Sequence, residues 1–439
     1  MDNEIVEDVL RRIEEHREGI AELALRLGNT FAPVGRERAV AEEVHLWYGE
    51  QGIDSRLVEI IPERANTVAR LPGANGGTGL IFNAHLDTEA SGPDYDNLMG
   101  VPDPNLVGAW REGDRLFGHT VLNDRGPMTL FMVAAKAIHD AGVPLLKDVV
   151  LTSVAGETGQ APVDEYQGIR YEGKGLGTDF LVRHGLRGDF ALVAETTDFA
   201  MCWHNCGAIY YKVTLRGENM YTPRLRRGDG LARHPNAIVK AATVVQAIEE
   251  WAIRYEETHA ADTPCGPLRL KAQVGAIRGG IPWRPNRSSP YAALYVDVRT
   301  KPGQVVDDVT ASLTEAIAAT GVSAEVEVTM AKPGAIADDV DGLREAVAAA
   351  HERVAGTPPA PTAAAAVVSM WRDTNVFNRA GIPSLTFGPS RGSADVQGTG
   401  YFELDALVAC AKMYALVALR LAAGISEETI RQAGGVSRV

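Results

Sequence analysis

Cysteine is scarce in this chain. Cys202, Cys206, Cys265 and Cys410 are the only four in 439 residues, which excludes a small fold stapled by disulfides. Cys202 and Cys206 flank His204, but no second cysteine pair follows at zinc-finger spacing, which argues against a structural zinc there. Positive charge is also in deficit: 43 Lys and Arg stand against 57 Asp and Glu, a formal charge of −14. Nucleic acid is therefore a poor partner, since phosphate binding needs a basic face. A local arginine cluster can still bind a small anion, because it overrides the mean field. No apolar run approaches the roughly 20 residues that a membrane-spanning helix needs. No secretory signal pattern opens the chain, and with so few cysteines this points to the cytoplasm. No internal repeat is visible.

What is present fits a soluble globular protein: 45% hydrophobic and 23% charged residues. A chain of 439 residues exceeds one ordinary core, so two domains are expected. Apolar positions at helical spacing run from Asn3 to about Leu27 and from Arg36 to Gly52. Short strands are predicted over 55–60, 67–70 and 78–82, a helix over 126–141, and nearly continuous apolar strands over 148–155 and 189–194. Strands alternating with helices argue for an α/β layer fold with a largely parallel sheet. In such folds ligands bind beyond the carboxyl ends of the strands. His85, Glu157 and Glu195 each lie just past an apolar strand. His85 and Asp87 sit two apart, pointing the same way at a strand end. Imidazole is a common ligand for divalent metals, and a nearby carboxylate can fix its orientation. An H-x-D triplet alone is weak; three strand ends delivering polar groups to one sheet edge are a stronger signal.

From about Gly207 the texture changes. A strand over 208–216, a helix within 231–255, strands over 268–277 and 291–299, a helix over 305–320 and a strand over 324–330 describe a small α/β sandwich with an antiparallel sheet. Beyond it, a helix over 342–355, a strand over 384–387 and a long helix over 404–423 complete the first domain. The expected organisation is a metal-binding catalytic domain of residues 1–206 and 330–439, interrupted by an inserted α+β domain of residues 207–329.

The chain resembles the co-catalytic metallopeptidase and deacylase family that includes acetylornithine deacetylase, succinyl-diaminopimelate desuccinylase, aminoacylase and carboxypeptidase G. The residues that carry the resemblance are His85-Leu86-Asp87-Thr88, Gly118 through Pro127, Gly156-Glu157-Thr158-Gly159 and Ala194-Glu195-Thr196-Thr197. Gly279-Gly280 through Asp297-Val298-Arg299, then Phe387-Gly388-Pro389, continue it in the family's order. The resemblance implies a zinc-peptidase-like catalytic domain with a mixed sheet, and an inserted dimerisation or lid domain.

The departures from the family pattern shape the site. Where the family bridges two metals with an aspartate, the chain reads Asn123, followed by Asp124. A neutral carboxamide is a poor bridge, because it cannot offset the repulsion of two dications. The family's acidic pair reads Glu157-Thr158, keeping the base and losing a ligand, and its late histidine falls at Ala394-Asp395. The outer ligands of the first metal, His85 and Glu195, survive. The resemblance therefore implies one divalent ion per subunit, manganese or zinc, held by His85, Asn123 and Glu195. Two readings stay open beside it: two metals with rearranged ligands, Asp395 among them, and a binding-only relic. Whether Asn123 or Asp124 reaches the ion is also open.

The implied roles follow. Asp87 orients His85; Glu157 takes a proton from the attacking water and delivers it to the leaving nitrogen. The blander reading of Glu157 is a solvated loop carboxylate. The family's lid histidine appears as Tyr221, and Arg284 and Arg287 stand where an asparagine and a proline are usual. Arginine suits planar carboxylate or nitro-like acceptors, although either could be a plain surface charge. With His204 these form the expected substrate-binding set, and Trp203, Trp283 and Trp371 could wall an aromatic pocket if they are not core residues.

The expected function is hydrolysis of a C–N bond in a small carboxylate-bearing substrate. An electron-poor ring absorbs developing charge and needs a second metal less. The reading favoured here is therefore deamination of an aromatic amine, as in the atypical member 5-nitroanthranilic acid aminohydrolase. The alternatives are a conventional amidohydrolase on N-acyl amino acids or dipeptides, and a non-catalytic binding protein. A homodimer through 207–329 is expected, on the argument that strand 208–216 is a sheet edge needing cover.

Overall fold

The computed structural model describes residues 2–88, 108–393 and 400–432. Asp395 lies outside them. The central sheet has six strands: β1 (Ser55–Ile61), β2 (Arg64–Leu71), β3 (Thr78–His85), β4 (Asp148–Val154), β5 (Phe190–Ala194) and, from late in the chain, β10 (Ser384–Phe387). Their spatial order is β1-β2-β4-β3-β5-β10. β4, β3, β5 and β10 run parallel, while β2 is antiparallel to both its neighbours, β1 and β4, so the sheet is mixed as expected.

The alternation of side chains along β3 explains why it is apolar at both phases. Phe82 points to one face, stacking on Phe131 at 5.7 Å and meeting Tyr414 at 5.4 Å. Those partners lie on α1 (Gly126–Asp140) and α4 (Leu404–Ala422), both mostly buried. Ile81 points to the opposite face, into a second cluster with Val150, Val182, Ala191, Val193 and Phe377. A strand buried on both faces must read as a continuous apolar run. Pro127 in the first turn of α1 suits a helix start, where its missing N–H costs nothing. No helix among the described residues is long and apolar enough to cross a membrane.

The second sheet contains β6 (Gly207–Arg216), β7 (Ala272–Gly279), β8 (Tyr291–Thr300) and β9 (Ala324–Lys332), in the order β7-β8-β6-β9, all antiparallel. α2 (Ala237–His259) and α3 (Val306–Ala318) are connected with it in the expected strand-helix-strand-strand-helix-strand order. One expectation is corrected. β6 is not an edge: it pairs with β8 on one side and β9 on the other. Tyr211 on one face meets Thr310 of α3, while Tyr210 and Lys212 on the other reach Gly159 and Asp164. The edges are β7 and β9.

The two units meet over the segment that follows β4. Tyr210 donates its hydroxyl to the carbonyl of Gly159 at 3.1 Å. Lys212 and Tyr295 both engage the carboxylate of Asp164, and Arg278 pairs with Glu165. From the other side, Arg64 donates to the carbonyls of Ile169, Arg170 and Glu172. Arg64 is itself held by Glu37 in a fully buried pair with bonds of 2.8 and 2.9 Å.

Candidate metal centre

The carboxyl ends of the parallel strands supply the centre. His85 closes β3 opposite Val154 of β4, and Ala194 of β5 lies opposite Phe387 of β10. The register brings the residues just after β4 and β5, Glu157 and Glu195, to the same edge. Two glycines make this possible. Gly156 has φ of +75°, and a Cβ there would run into the Arg64 guanidinium. A Cβ on Gly388 would strike the carbonyl of Glu195. Both positions need a residue without a side chain.

His85, Asp124 and Glu195, all buried, place one ligand atom each within 4.8 Å of one another. Nε2 of His85 lies 3.4 Å from Oδ2 of Asp124 and 3.8 Å from Oε2 of Glu157. That oxygen of Asp124 is buried and meets no hydrogen-bond donor among the described residues. An unpaired buried carboxylate oxygen is costly unless something positive meets it. The donor set therefore fits a divalent cation. Two carboxylates and one imidazole without thiolate suit manganese as well as zinc.

Asp124, not Asn123, is thus the residue that the geometry sets beside His85 and Glu195. The side-chain amide of Asn123 meets Nε2 of His119 at 3.3 Å instead. Arg125, buried next to them, donates to the carbonyls of Leu86, Leu27, Thr30 and Ala32 at 2.8–3.0 Å. It pins the end of β3 to the amino-terminal helices.

Asp87 acts in two ways. Its backbone carbonyl faces Nδ1 of His85 at 2.7 Å and orients the ring, leaving Nε2 toward the centre. Its carboxylate stands 3.9 Å from Nδ1 and is committed elsewhere. It accepts the amides of Gly156 at 2.7 Å, Glu157 at 3.0 Å and Thr158 at 2.8 Å, and the Thr158 hydroxyl at 2.5 Å.

Burial and like charge set the protonation of the group. Burial pushes Glu157 up to about 8, raised further by Glu195 and opposed by Lys174 and His85. Burial, and then Glu195, push Asp124 well above the usual carboxylate range. For His85 burial opposes the charge, but Asp124, Glu157, Asp87 and Glu195 outweigh it and raise the imidazole to about 10. A group of carboxylates that hold protons at neutral pH is one that a dication would discharge.

Arg372, Asp373 and Lys174, which the sequence did not single out, complete the surroundings. Nε of Arg372 pairs with Oε2 of Glu195. Asp373 accepts from Asn83 at 2.9 Å and Thr178 at 2.7 Å, and burial pushes it up to about 6. Lys174 lies over the Trp371 ring at 5.6 Å. Trp203 is also buried and carries Arg344 over its face at 4.2 Å.

The expected substrate-binding residues divide. Tyr221 and Arg287 pair as a β-bridge, and Arg287 reaches Asn219 at 3.2 Å. With Arg284 and the 81%-exposed Trp283 they form an exposed tip on the inserted unit. His204 is half-buried and paired through its backbone with Ile336. The structure brings neither the tip nor His204 into the cluster of His85, Asp124 and Glu195.

Residues 207–325 match the Peptidase dimerisation domain family. A curated relative is the N-formyl-4-amino-5-aminomethyl-2-methylpyrimidine deformylase of Bacillus subtilis, 25% identical over 265 residues. That match covers 57% of this chain and 56% of the deformylase, so it spans little more than half the relative's length. Among solved structures, human carnosine dipeptidase 1 superposes with a TM-score of 0.67 at 14% identity, covering 95% of this chain and 98% of the other. The dipeptidase Dug1p of Saccharomyces cerevisiae gives 0.68 at 12% identity, covering 95% and 98%. Likeness at this identity speaks for the fold. In fold and in its inserted domain, the chain resembles the M20 metallopeptidases and deacylases, as its motifs imply.

Proposed function

We propose that the chain is a metal-dependent hydrolase that cleaves a C–N bond in a small substrate, with one divalent ion held by His85, Asp124 and Glu195. The observation that carries this reading is the convergence of those three ligand atoms beside the buried carboxylate of Glu157. When bound, the ion supplies Lewis-acid activation of water and of the scissile group. Glu157 then acts as the general base. Without an ion, burial raises this carboxyl to about 8; beside a bound dication its ionised form is favoured, and that form accepts a proton from the water and passes it to the leaving nitrogen. Asp87 holds the base by its backbone and the ligand by its ring. Lys174 and Arg372 keep counter-charge close to the carboxylates.

The substrate class comes from the curated relative, which is a deformylase of an aminopyrimidine. We infer an N-formyl or other short N-acyl group on an aromatic or heteroaromatic amine. The second reading is release of ammonia from an electron-poor aromatic amine. The arginine-bearing tip with Trp283 favours it, because guanidinium recognises planar carboxylate or nitro groups. Homodimerisation through the inserted domain, spanning 207–329, belongs to the same proposal and would carry the tip toward a neighbouring centre.

The test is a product assay on manganese- and zinc-loaded protein. N-formyl aminopyrimidines and nitro-substituted anthranilates are supplied, and formate and ammonia are measured. Formate release that stops with chelation and returns with metal supports the first reading; ammonia supports the second. A folded protein that binds no divalent ion, or binds one and turns over neither class, removes the proposal.

A further inference from the structure

The centre holds more negative side chains than one imidazole and one ion explain, and it also holds a buried guanidinium. Arg372 is 2% exposed. Its Nε pairs with Oε2 of Glu195, Nη1 donates to the carbonyl of Val367 at 3.2 Å, and Nη2 meets Sδ of Met370 at 3.2 Å. A dry guanidinium among so few acceptors is held there by charge. Glu195 is at the same time one of the three residues whose ligand atoms converge. One of its oxygens is therefore engaged by an internal cation.

The neighbouring side chains are spent in a matching way. The Thr158 hydroxyl, directly after the base, donates to Asp87. The Asn123 amide meets His119. Neither offers a charged oxygen, so a second ion would depend on the carboxylates, the oxygen of Glu195 that Arg372 holds among them. Among the described residues, the carboxylates of Asp87, Asp124, Glu157, Glu195 and Asp373 stand around the centre with the cations of Arg372 and Lys174, all buried. A second dication beside the Arg372 guanidinium would meet its repulsion in a desolvated site, where an unpaired charge is costly.

We propose that Arg372 is the resident cation that limits this centre to one divalent ion, by engaging one oxygen of Glu195 and supplying the charge that a second ion would bring. This rests on the one-ion reading above. Arg372 is in this role a positioning residue. It sets how many ions the carboxylates can hold and which oxygen of Glu195 faces the one that binds.

The test counts ions rather than turnover. Wild type, Arg372→Met, Arg372→Gln and Arg372→Lys are saturated with manganese, and bound metal per folded chain is measured by elemental analysis and calorimetry. The expected result is one ion for wild type and Arg372→Lys. The neutral variants should bind two, with the first ion about tenfold tighter, the size of effect that a charge within bonding distance exerts on a neighbouring ionic equilibrium. Two ions in wild type would overturn the one-ion reading itself. One ion in wild type and still one in both neutral variants would overturn the role of Arg372 and leave that reading standing. If both neutral variants lose a cooperative unfolding transition, Arg372 belongs to the framework and the proposal fails.

Discussion

The carboxylate of Asp87 accepts the backbone amide of Glu157 at 3.0 Å, while the carbonyl of Asp87 faces the His85 ring at 2.7 Å. One residue thus locks the first ligand and the base together across the gap between β3 and β4. Asp87→Asn puts an amide N–H where only acceptors fit. Bonds to a charged acceptor are each worth about 1.5–3 kcal/mol, and an asparagine keeps part of them. The expected loss of unfolding free energy is about 2–4 kcal/mol, with a large fall in turnover and a smaller fall in metal content. Equal stability of mutant and wild type in urea would show that the cap contributes nothing.

The same cap gives a pH dependence whose sign is fixed. Burial acts against the charge of Asp87, but His85, the Thr158 hydroxyl and the amides of Glu157 and Thr158 hold it below the usual carboxylate range. A depressed pKa contributes stability at pH values above the unfolded-state pKa. That stability is lost as pH falls through the folded-state value. Wild type should therefore lose stability between about pH 4 and lower values more steeply than Asp87→Asn does. Parallel pH profiles for the two proteins would count against it.

Glu157→Gln removes the proton acceptor and keeps the shape. Turnover should fall by about 100- to 10,000-fold, the range that a positioned general base contributes. Bound metal should be unchanged, because Glu157 is outside the three converging ligands. Activity within a few-fold of wild type would assign the base elsewhere.

Loading the centre should release protons. With the imidazole of His85 raised to about 10 and the carboxyl of Asp124 well above its usual range, the metal-free group carries protons near neutral pH. An ion requires neutral imidazole and ionised carboxylate. Affinity must therefore rise with pH until those groups are deprotonated. Calorimetry at pH 7.5 in two buffers of different ionisation enthalpy reads the proton count directly. Heats independent of buffer would mean that the site is already deprotonated when empty.

Much of this was legible in the chain itself, and the reason is physical. A strand buried on both faces has to be apolar throughout, so β3, β4 and β5 announce themselves, and so do the polar residues that end them: His85, Glu157 and Glu195. The inserted unit shows the alternation of a one-sided sheet. What could not be read was charge buried by tertiary packing. Arg64, Arg125 and Arg372 carry no local signature that separates them from surface arginines, yet each is nearly or fully buried. The choice between Asn123 and Asp124 turns on backbone direction over a single residue, which periodicity does not reach. The position of β6 was misjudged because alternation reports which faces a strand has, not how many neighbours flank it. Tyr221 and Arg287, far apart in sequence, pair as a β-bridge, a contact that periodicity does not encode.

The last prediction concerns assembly. β7 is an edge of the second sheet, and its outward residues are mostly exposed, Ile277 at 59%. α2, packed along β7, leaves Ile238 and Ile253 exposed as well. An apolar edge beside an apolar helix stripe is a liability for a monomer. Two-fold pairing covers the same patch on both copies at once. The domain that bears this edge matches a peptidase dimerisation family. Light scattering should therefore give twice the chain mass of 47.0 kDa. Ile277→Lys places a charge on the paired edge and should shift the protein toward the single-chain mass while its helical content is kept. A wild-type mass of one chain in dilute solution would sink the dimer. A dimer that tolerates Ile277→Lys would move the interface off β7.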